Sequence, residues 1–301
     1  MSKRVLITGV NGFTGRYMAA EMLGAGYDVY GLAHNAPTNS APDPITLLTC
    51  DLCDGGGLLS IIEEIRPDYV VHLAGIAFVA HGDVDAIYRT NLVGTRNLLE
   101  ALERNTHHPA SILLASSANI YGNATAEIIG ESTVPAPAND YAVSKLAMEY
   151  MAKLWMERLP ITIVRPFNYT GVGQSASFLL PKIVDHFKRR APVLELGNLD
   201  VVRDFSDVRS VVGSYRRLLE TAPNGETFNV CSGTGHSLQE ILQIMRELTG
   251  HHPEIRVNPA FVRASEVHRL IGSRARLERA IGETMLIPLQ ETLQWMLESP
   301  L

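Results

Sequence analysis

Short aliphatic runs alternate along the chain with segments whose apolar positions recur every three to four residues. Residues 4–8 (RVLIT) read as a buried strand, and "TGVNGFTG" follows as a turn. Tyr17, Met18, Ala20, Glu21, Met22 and Leu23 then set a helical pattern that closes at Gly24 and Gly26. Strands are expected at 28–33, 45–51 and 68–75, with a helix at 58–65 before the last of them. A helix around 85–104, a strand at 111–117, a helix over about 140–157 and a strand at 161–165 continue the alternation. Strands that alternate with helices specify a parallel, doubly wound α/β sheet.

Beyond Pro166 the pattern loosens. Residues 168–177 are loop-like, a helix resumes over 178–189, and 226–233 reads as a strand. Ser237-x-x-Glu240 forms a capping box that opens the helix "LQEILQIMRELTG", and helices at 274–281 and 289–298 end the chain. The pattern divides the chain into a regular α/β domain, 1–165, and a smaller region, 166–301, that packs on the sheet edge as a substrate-binding region and sends some segments back to the core. No flexible linker, internal repeat or low-complexity tract separates them.

With 301 residues, 46% hydrophobic and 19% charged, the composition is that of an ordinary globular protein. A net charge of −6 argues against a nucleic-acid surface but not against a small anionic ligand. No signal peptide or transmembrane span is read, so a soluble cytoplasmic protein without membrane attachment is expected. Cys50-x-x-Cys53 lacks a second pair to complete a zinc site, Cys231 is remote, and His107-His108 and His251-His252 lack acidic partners, so no metal is expected.

The chemistry concentrates at the ends of strands. Gly9-x-x-Gly12-x-x-Gly15 lies between the first strand and the first helix, where absent Cβ atoms allow a tight turn against a pyrophosphate at a helix N-terminus. After the second strand come Ala33, His34 and Asn35 rather than an acid. A 2′-phosphate is therefore not repelled, and His34 stands near it, which favours NADP(H) while leaving NAD(H) open. Asp51 and Leu52 flank the adenine, although Asp51 reads equally as a helix N-cap. Tyr141-x-x-x-Lys145 places a phenol and an ammonium on one helix face, and the lysine is expected to draw the phenol down from its reference pKa near 10. Ser116 and Ser117 close the preceding strand, where a serine can hydrogen-bond a substrate oxygen.

Together the glycine turn, the "HLAG" turn, Asn91 in "TNLVGT", Ser117 before "YG", Tyr-x-x-x-Lys and "RPFN" resemble the extended short-chain dehydrogenase/reductase family, from residue 9 to about 170 and more weakly to 266. The resemblance implies a Rossmann-type fold and a nicotinamide cofactor held by Gly9, Asn11, Gly12, Phe13, Thr14, Gly15, His34, Asp51, Leu52, Leu73, Ala74, Gly75 and Asn91. Tyr141, Lys145, Pro166 and Phe167 complete that set. It implies that Tyr141 relays a proton, that Ser117 orients the substrate carbonyl and that Lys145 anchors the nicotinamide ribose. A homodimer joined through helices near 91–104 and 141–157 is implied too.

Residues 196–208 and 262–267 resemble the substrate regions of family members that act on nucleotide-diphosphate sugars, and "GNLDVVRDF" and "RPFNYTGVGQ" are most like the GDP-sugar branch. By that resemblance Arg203 and Arg263 clamp the diphosphate, as an arginine fork suits. Asn168 and Lys182 make further nucleotide contacts, Glu266 meets a ribose, and Asn119 and Ser117 face the sugar. Dehydratases of the family place acids directly after the catalytic Ser/Thr, whereas this chain has Ala118 and Asn119. The expected reaction is therefore NAD(P)H-dependent reduction of the 4-keto group of GDP-4-keto-6-deoxy-D-mannose to GDP-D-rhamnose. A nucleotide-sugar 4-epimerase, another 4-ketoreductase and a non-catalytic NAD(P)-sensing protein are the alternatives. The last is expected to have lost Tyr141 or Lys145, and both are present.

Overall fold

A computed structural model describes residues 2–35, 44–77, 83–124, 126–261 and 267–300. From β1 (Arg4–Thr8) the chain turns through glycines into α1 (Phe13–Gly24), then forms β2 (Asp28–Ala33), β3 (Thr46–Thr49), α2 (Gly55–Ile65) and β4 (Tyr69–His72). Next come α3 (Val84–Tyr88), a π-helical turn over Arg89–Gly94, α4 (Thr95–Arg104), β5 (Ser111–Ala115), α5 (Asp140–Lys153) and β6 (Ile161–Pro166). The remainder comprises β7 (Asn168–Thr170), α6 (Leu179–Lys188), β8 (Val193–Leu196), β9 (Val202–Asp207), α7 (Val208–Thr221), β10 (Thr227–Val230) and β11 (Gly235–Ser237). It ends with α8 (Leu238–Thr249), β12 (Glu254–Val257), β13 (Arg269–Leu270), α9 (Ala275–Ile281) and α10 (Leu289–Glu298).

The main sheet runs β10-β6-β5-β4-β1-β2-β3, and every neighbouring pair is parallel. This is the Rossmann-type doubly wound α/β fold expected from the alternation. Because successive side chains point to opposite faces, β1 feeds two cores. Val5 and Ile7 pack with Met18 and Met22 of α1 and Tyr215 and Leu218 of α7. Leu6 packs on the other face with Leu58 and Ile62 of α2, Leu98 and Leu102 of α4, and Met148 of α5. The strand order reverses between β1 and β4, so the crevice beyond their carboxyl ends is where such a sheet takes a ligand.

A third core joins α6, α8 and α10 to β8 and β9. Around β9 gather β7 and β13, both parallel to it, and β11, antiparallel. The Ser237–Glu240 capping box is present at the start of α8.

Some boundaries differ from the sequence pattern for local reasons. The Asp54 side chain caps α2, so the helix begins in the glycine run at 55 rather than at 58. The single helix expected over 85–104 is interrupted by the π turn around Asn91. α7 was not expected, although Val208, Val211, Val212, Tyr215, Leu218 and Leu219 form an unbroken buried stripe at helical spacing. No described helix is long and apolar enough to cross a membrane.

Candidate active site

Beyond the carboxyl ends of β1, β2 and β4 lies a cleft of about 720 Å³ whose walls include Gly9, Gly12, His34, Asp51, Leu52, Gly75 and Arg89. Leu73, Ala74 and Ile76 continue the lining. Its floor is the glycine turn. A Cβ on Gly9, where φ is +71°, would lie 2.8 Å from the Ala74 backbone, and one on Gly15 would lie 2.2 Å from the Gly9 carbonyl oxygen. Gly12 is the N-cap of α1 and brings no side-chain cap, so the first-turn N–H groups remain for an anion. This open helix end, beneath a backbone cradle that side chains would fill, fits a dinucleotide pyrophosphate.

Other predicted cofactor residues are placed as follows. Asn11 is exposed at the turn. Phe13 stacks on Tyr169 at 6.1 Å, and the Thr14 hydroxyl lies 2.8 Å from the Tyr169 hydroxyl, so both side chains lock β7 against the glycine turn. Asp51 does not cap α2. It accepts from the Cys53 N–H at 2.8 Å and stands 3.9 Å from His34, while Leu52 is buried beneath Gly94.

Two buried polar residues tie the cleft to α5. The Ala74 N–H donates to Thr8 Oγ1, which lies 2.7 Å from His72 Nδ1, and His72 Nε2 lies 2.9 Å from Thr95 Oγ1. Thr95 donates to the Asn91 carbonyl, so its oxygen accepts from His72, which fixes the proton on Nε2. Burial pushes the His72 pKa down to about 3, with Lys145 adding to the shift, so the ring is neutral. The Asn91 amide accepts from the Ile76 N–H at 2.9 Å and donates to the Ile76 carbonyl and to Ser144 Oγ. Ser144 in turn donates to the Tyr141 carbonyl, so Asn91 spends its side chain holding the loop after β4 to α5.

The predicted catalytic trio meets at the ends of β5 and α5. Ser117 Oγ accepts from both the N–H and the Nδ2 of Asn119, each at 3.1 Å. The hydroxyl also acts on the Tyr141 phenol, favouring its charged form. Lys145, 6% exposed, donates to the Ala115 carbonyl at 2.8 Å. Burial lowers its pKa to about 8 against an opposing pull from Glu149.

The expected fall of the Tyr141 pKa is corrected. Burial pushes the phenol up to about 12, which the Ser117 hydrogen bond only partly offsets, and Lys145 does not figure among the causes. The ammonium is turned to a β5 carbonyl, and a phenol removed from water resists charging. Such a phenol is protonated at neutral pH, the state a proton donor needs.

The spacing of motifs along the chain did not reveal the charge behind this trio. Glu149, four residues after Lys145, accepts from Ser116 Oγ at 2.5 Å and from Arg165 Nε and Nη2 at 2.9 and 2.6 Å. Arg165 is followed by Pro166 and Phe167, and the Phe167 ring packs with Tyr121, Cys231 and Leu270.

On the substrate side the structure places fewer of the expected residues. Asn168 on β7 pairs in register with Phe205 of β9 and donates to the Asp204 carbonyl at 3.4 Å; Arg203 lies one residue before Asp204. Lys182 sits 3.9 Å over the Phe261 ring, and its pKa is lowered by burial despite Glu195. Arg263 and Glu266 lie outside the described residues. Asp204, also missed in sequence, is fully buried and accepts from the Ser232, Gly233 and Gly272 N–H groups and from Ser232 Oγ, fixing the turn after β10.

Among the described residues no group of three or more His, Cys, Asp or Glu side chains could hold a metal. In a second groove, by Lys3, Glu21, Tyr27, Arg216 and Glu220, Arg216 pairs with both Glu21 and Glu220, while Lys3 donates to the Tyr69 hydroxyl.

The chain is similar to known proteins along nearly its whole length. The family model described as GDP-mannose 4,6 dehydratase matches residues 6–296. GDP-6-deoxy-D-talose 4-dehydrogenase of Aggregatibacter actinomycetemcomitans is 34% identical, with 93% of this chain and 91% of the relative covered. GDP-6-deoxy-D-mannose reductase of Pseudomonas aeruginosa is 34% identical over 99% of this chain and 97% of its own. Among solved structures, RMD from Pseudomonas aeruginosa complexed with NADPH superposes with a TM-score of 0.83 at 33% identity, covering 98% of each chain. A Burkholderia cenocepacia J2315 protein described as a candidate epimerase reaches 0.92 at 54% identity, covering 99% of this chain and 97% of that one. The open glycine turn, the Ser117–Tyr141–Lys145 trio and a match along nearly the whole chain lead to one conclusion: the protein belongs to the GDP-mannose 4,6-dehydratase family of extended short-chain dehydrogenases/reductases.

Proposed function

We propose that the protein reduces the 4-keto group of GDP-4-keto-6-deoxy-D-mannose to GDP-D-rhamnose, with Tyr141 as the proton donor. The observation that carries this reading is the corner after Ser117. Ala118 is buried, and Asn119 spends its side chain on Ser117, so neither position offers the acid that a dehydratase needs to move protons at C5 and C6. A 4-keto reduction needs no such group.

When bound, NAD(P)H supplies the hydride. The Ser117 hydroxyl hydrogen-bonds the C4 oxygen and aims it at Tyr141, whose protonated phenol gives up its hydrogen as the alkoxide forms. The Lys145 ammonium, turned away from the phenol toward the Ala115 carbonyl, holds ribose hydroxyls, while the Ser117 hydroxyl favours the charged form of Tyr141. Asn168, Lys182, Arg203, Arg263 and Glu266 bind the GDP moiety in this reading, the arginines meeting the diphosphate. NADP(H) is the proposed preference, because β2 ends without an acid. Asp51 nevertheless approaches His34 from the β3 side, so the two cofactors must be compared directly.

The test is to mix the purified protein with NADPH or NADH and GDP-4-keto-6-deoxy-D-mannose and to follow loss of nicotinamide absorbance. Rapid oxidation supports the assignment and ranks the cofactors, and NMR of the product distinguishes GDP-D-rhamnose from its C4 epimer, GDP-6-deoxy-D-talose. No oxidation by folded protein that still binds cofactor sinks the assignment. A second reading, a nucleotide-sugar 4-epimerase, is favoured by the similarity to the Burkholderia protein. It requires nicotinamide that stays bound through dialysis and interconversion of the C4 epimers without net oxidation.

A further inference from the structure

Three segments must hold their relative positions for the proposed chemistry: the end of β5 with Ser117, helix α5 with Tyr141 and Lys145, and the end of β6 leading into Pro166 and Phe167. One buried carboxylate touches all three. Glu149 lies one helical turn after Lys145, 1% exposed. It accepts from Ser116, the residue before Ser117, and is gripped by both arms of Arg165, the residue before Pro166. Arg165 extends the connection by donating to the Tyr121 hydroxyl at 2.8 Å and to the Glu131 carbonyl at 3.1 Å. Tyr121 donates to the Asn229 side chain on β10 at 2.7 Å, so the network crosses β5, β6 and β10.

We propose that the Glu149–Arg165 pair is a positioning unit for the reaction, holding Ser117, Lys145 and the Pro166–Phe167 segment in mutual register. It rests on the reading of Tyr141, Ser117 and Lys145 as catalytic. The planar fork suits this task, because two parallel hydrogen bonds fix orientation as well as distance. Glu149 also has an electrostatic effect, favouring the charged form of Lys145 against the burial that opposes it. His72 from β4 and the Ala115 carbonyl from β5 also face Lys145, and His72 is neutral. Arg165 from β6 has its charge compensated by Glu149. Among the described residues facing Lys145, Glu149 is therefore the negative charge at neutral pH.

The test combines Glu149→Gln, Arg165→Lys and Ser116→Ala with steady-state kinetics, NADPH binding by nicotinamide fluorescence, and titration of Lys145 by NMR of ¹⁵N-lysine protein. The chain has only five lysines, which makes that titration tractable. In Glu149→Gln the expected result is a kcat at least ten-fold lower, a nucleotide-sugar KM changed less than two-fold, and a Lys145 titration moved at least half a unit to lower pH. Arg165→Lys keeps the charge and loses the fork, so it should recover part of kcat and keep the Lys145 titration near that of the wild type. A folded Glu149→Gln with unchanged kcat and Lys145 titration overturns the proposal. Should that variant fail to fold, Ser116→Ala, which leaves the ion pair intact, must still lower kcat about three-fold at an unchanged melting temperature, and an unchanged kcat overturns it. The NMR and fluorescence readouts do not depend on the sugar, so a wrong substrate leaves them standing, whereas full activity of Tyr141→Phe removes the catalytic reading itself.

Discussion

Tyr141 is the residue on which the proposed mechanism turns. Replacing it with Phe removes the transferable proton while keeping the ring that helps bury the site, so kcat should fall by about 10²–10⁴. NADPH binding and melting temperature should stay near those of the wild type, and turnover within a few-fold of wild type would remove the phenol from the mechanism. The pH profile should report Lys145, whose pKa is lowered to about 8. Its charged form predominates below that value, so kcat/KM should decline as pH rises through about 8, and Lys145→Met should abolish that limb. Tyr141, raised to about 12, should not titrate in the working range. The Tyr-x-x-x-Lys spacing was legible because both residues stand on one helix with a fixed period. The expected acidity of Tyr141 was not, since it depended on where the ammonium points and how dry the site is. Glu149, Arg165 and His72 were illegible as a site for a related reason: 16 and 77 residues separate Arg165 and His72 from Glu149, and only the sheet brings such positions together.

At the scale of elements, α5 presents Tyr141 on its first turn, and what starts the helix therefore sets the register of the proposed proton donor. The Asn139 side chain caps it by accepting from the Ala142 N–H at 2.9 Å. Asn139→Ala should lower stability by about 1 kcal/mol, measured by urea denaturation, with a larger proportional loss in kcat than in cofactor affinity as the first turn frays. The π turn at Arg89–Gly94 has a comparable role, since it places the Asn91 amide where it can reach both Ile76 and Ser144. Most elements followed from hydrophobic period. The π turn did not, because one extra residue in a helical turn leaves the apolar stripe almost unchanged. α7 was a different kind of miss: its stripe is regular, and the arginines at 209, 216 and 217 lie on the face it leaves exposed or paired with acids.

Across the whole molecule, burial couples stability to pH. His72 binds a proton in the unfolded chain below about 6.5 but not in the folded protein until about 3. The unfolded state thus holds the extra proton between those values, so stability rises with pH through that window and is lost as pH falls, at about 1.4 kcal/mol per unit. Urea denaturation at pH 4, 5 and 6 should show this slope, reduced by about one proton in His72→Gln. Assembly is a second property of this scale. Val93, Val143, Tyr150 and Leu154, apolar and partly or largely exposed, lie on the helical layer of the π turn, α4 and α5. We propose that this layer meets its copy in a homodimer, so sedimentation should show a dimer that Tyr150→Asp with Leu154→Asp converts to monomer. A monomeric wild type would reject the seam. The sequence by itself determined the alternation of strands and helices through residue 165, the glycine turn and the Tyr–Lys pair, because these depend on local period and on residues a few positions apart; past Pro166 it missed the short strands, β7 within the stretch read as loop among them, and α7. Only the tertiary structure decided which chain segments flank the main sheet, which buried charges stand behind the catalytic trio, and how acidic Tyr141 and Lys145 are. Those properties arise from desolvation and from contacts between distant parts of the chain, which packing creates.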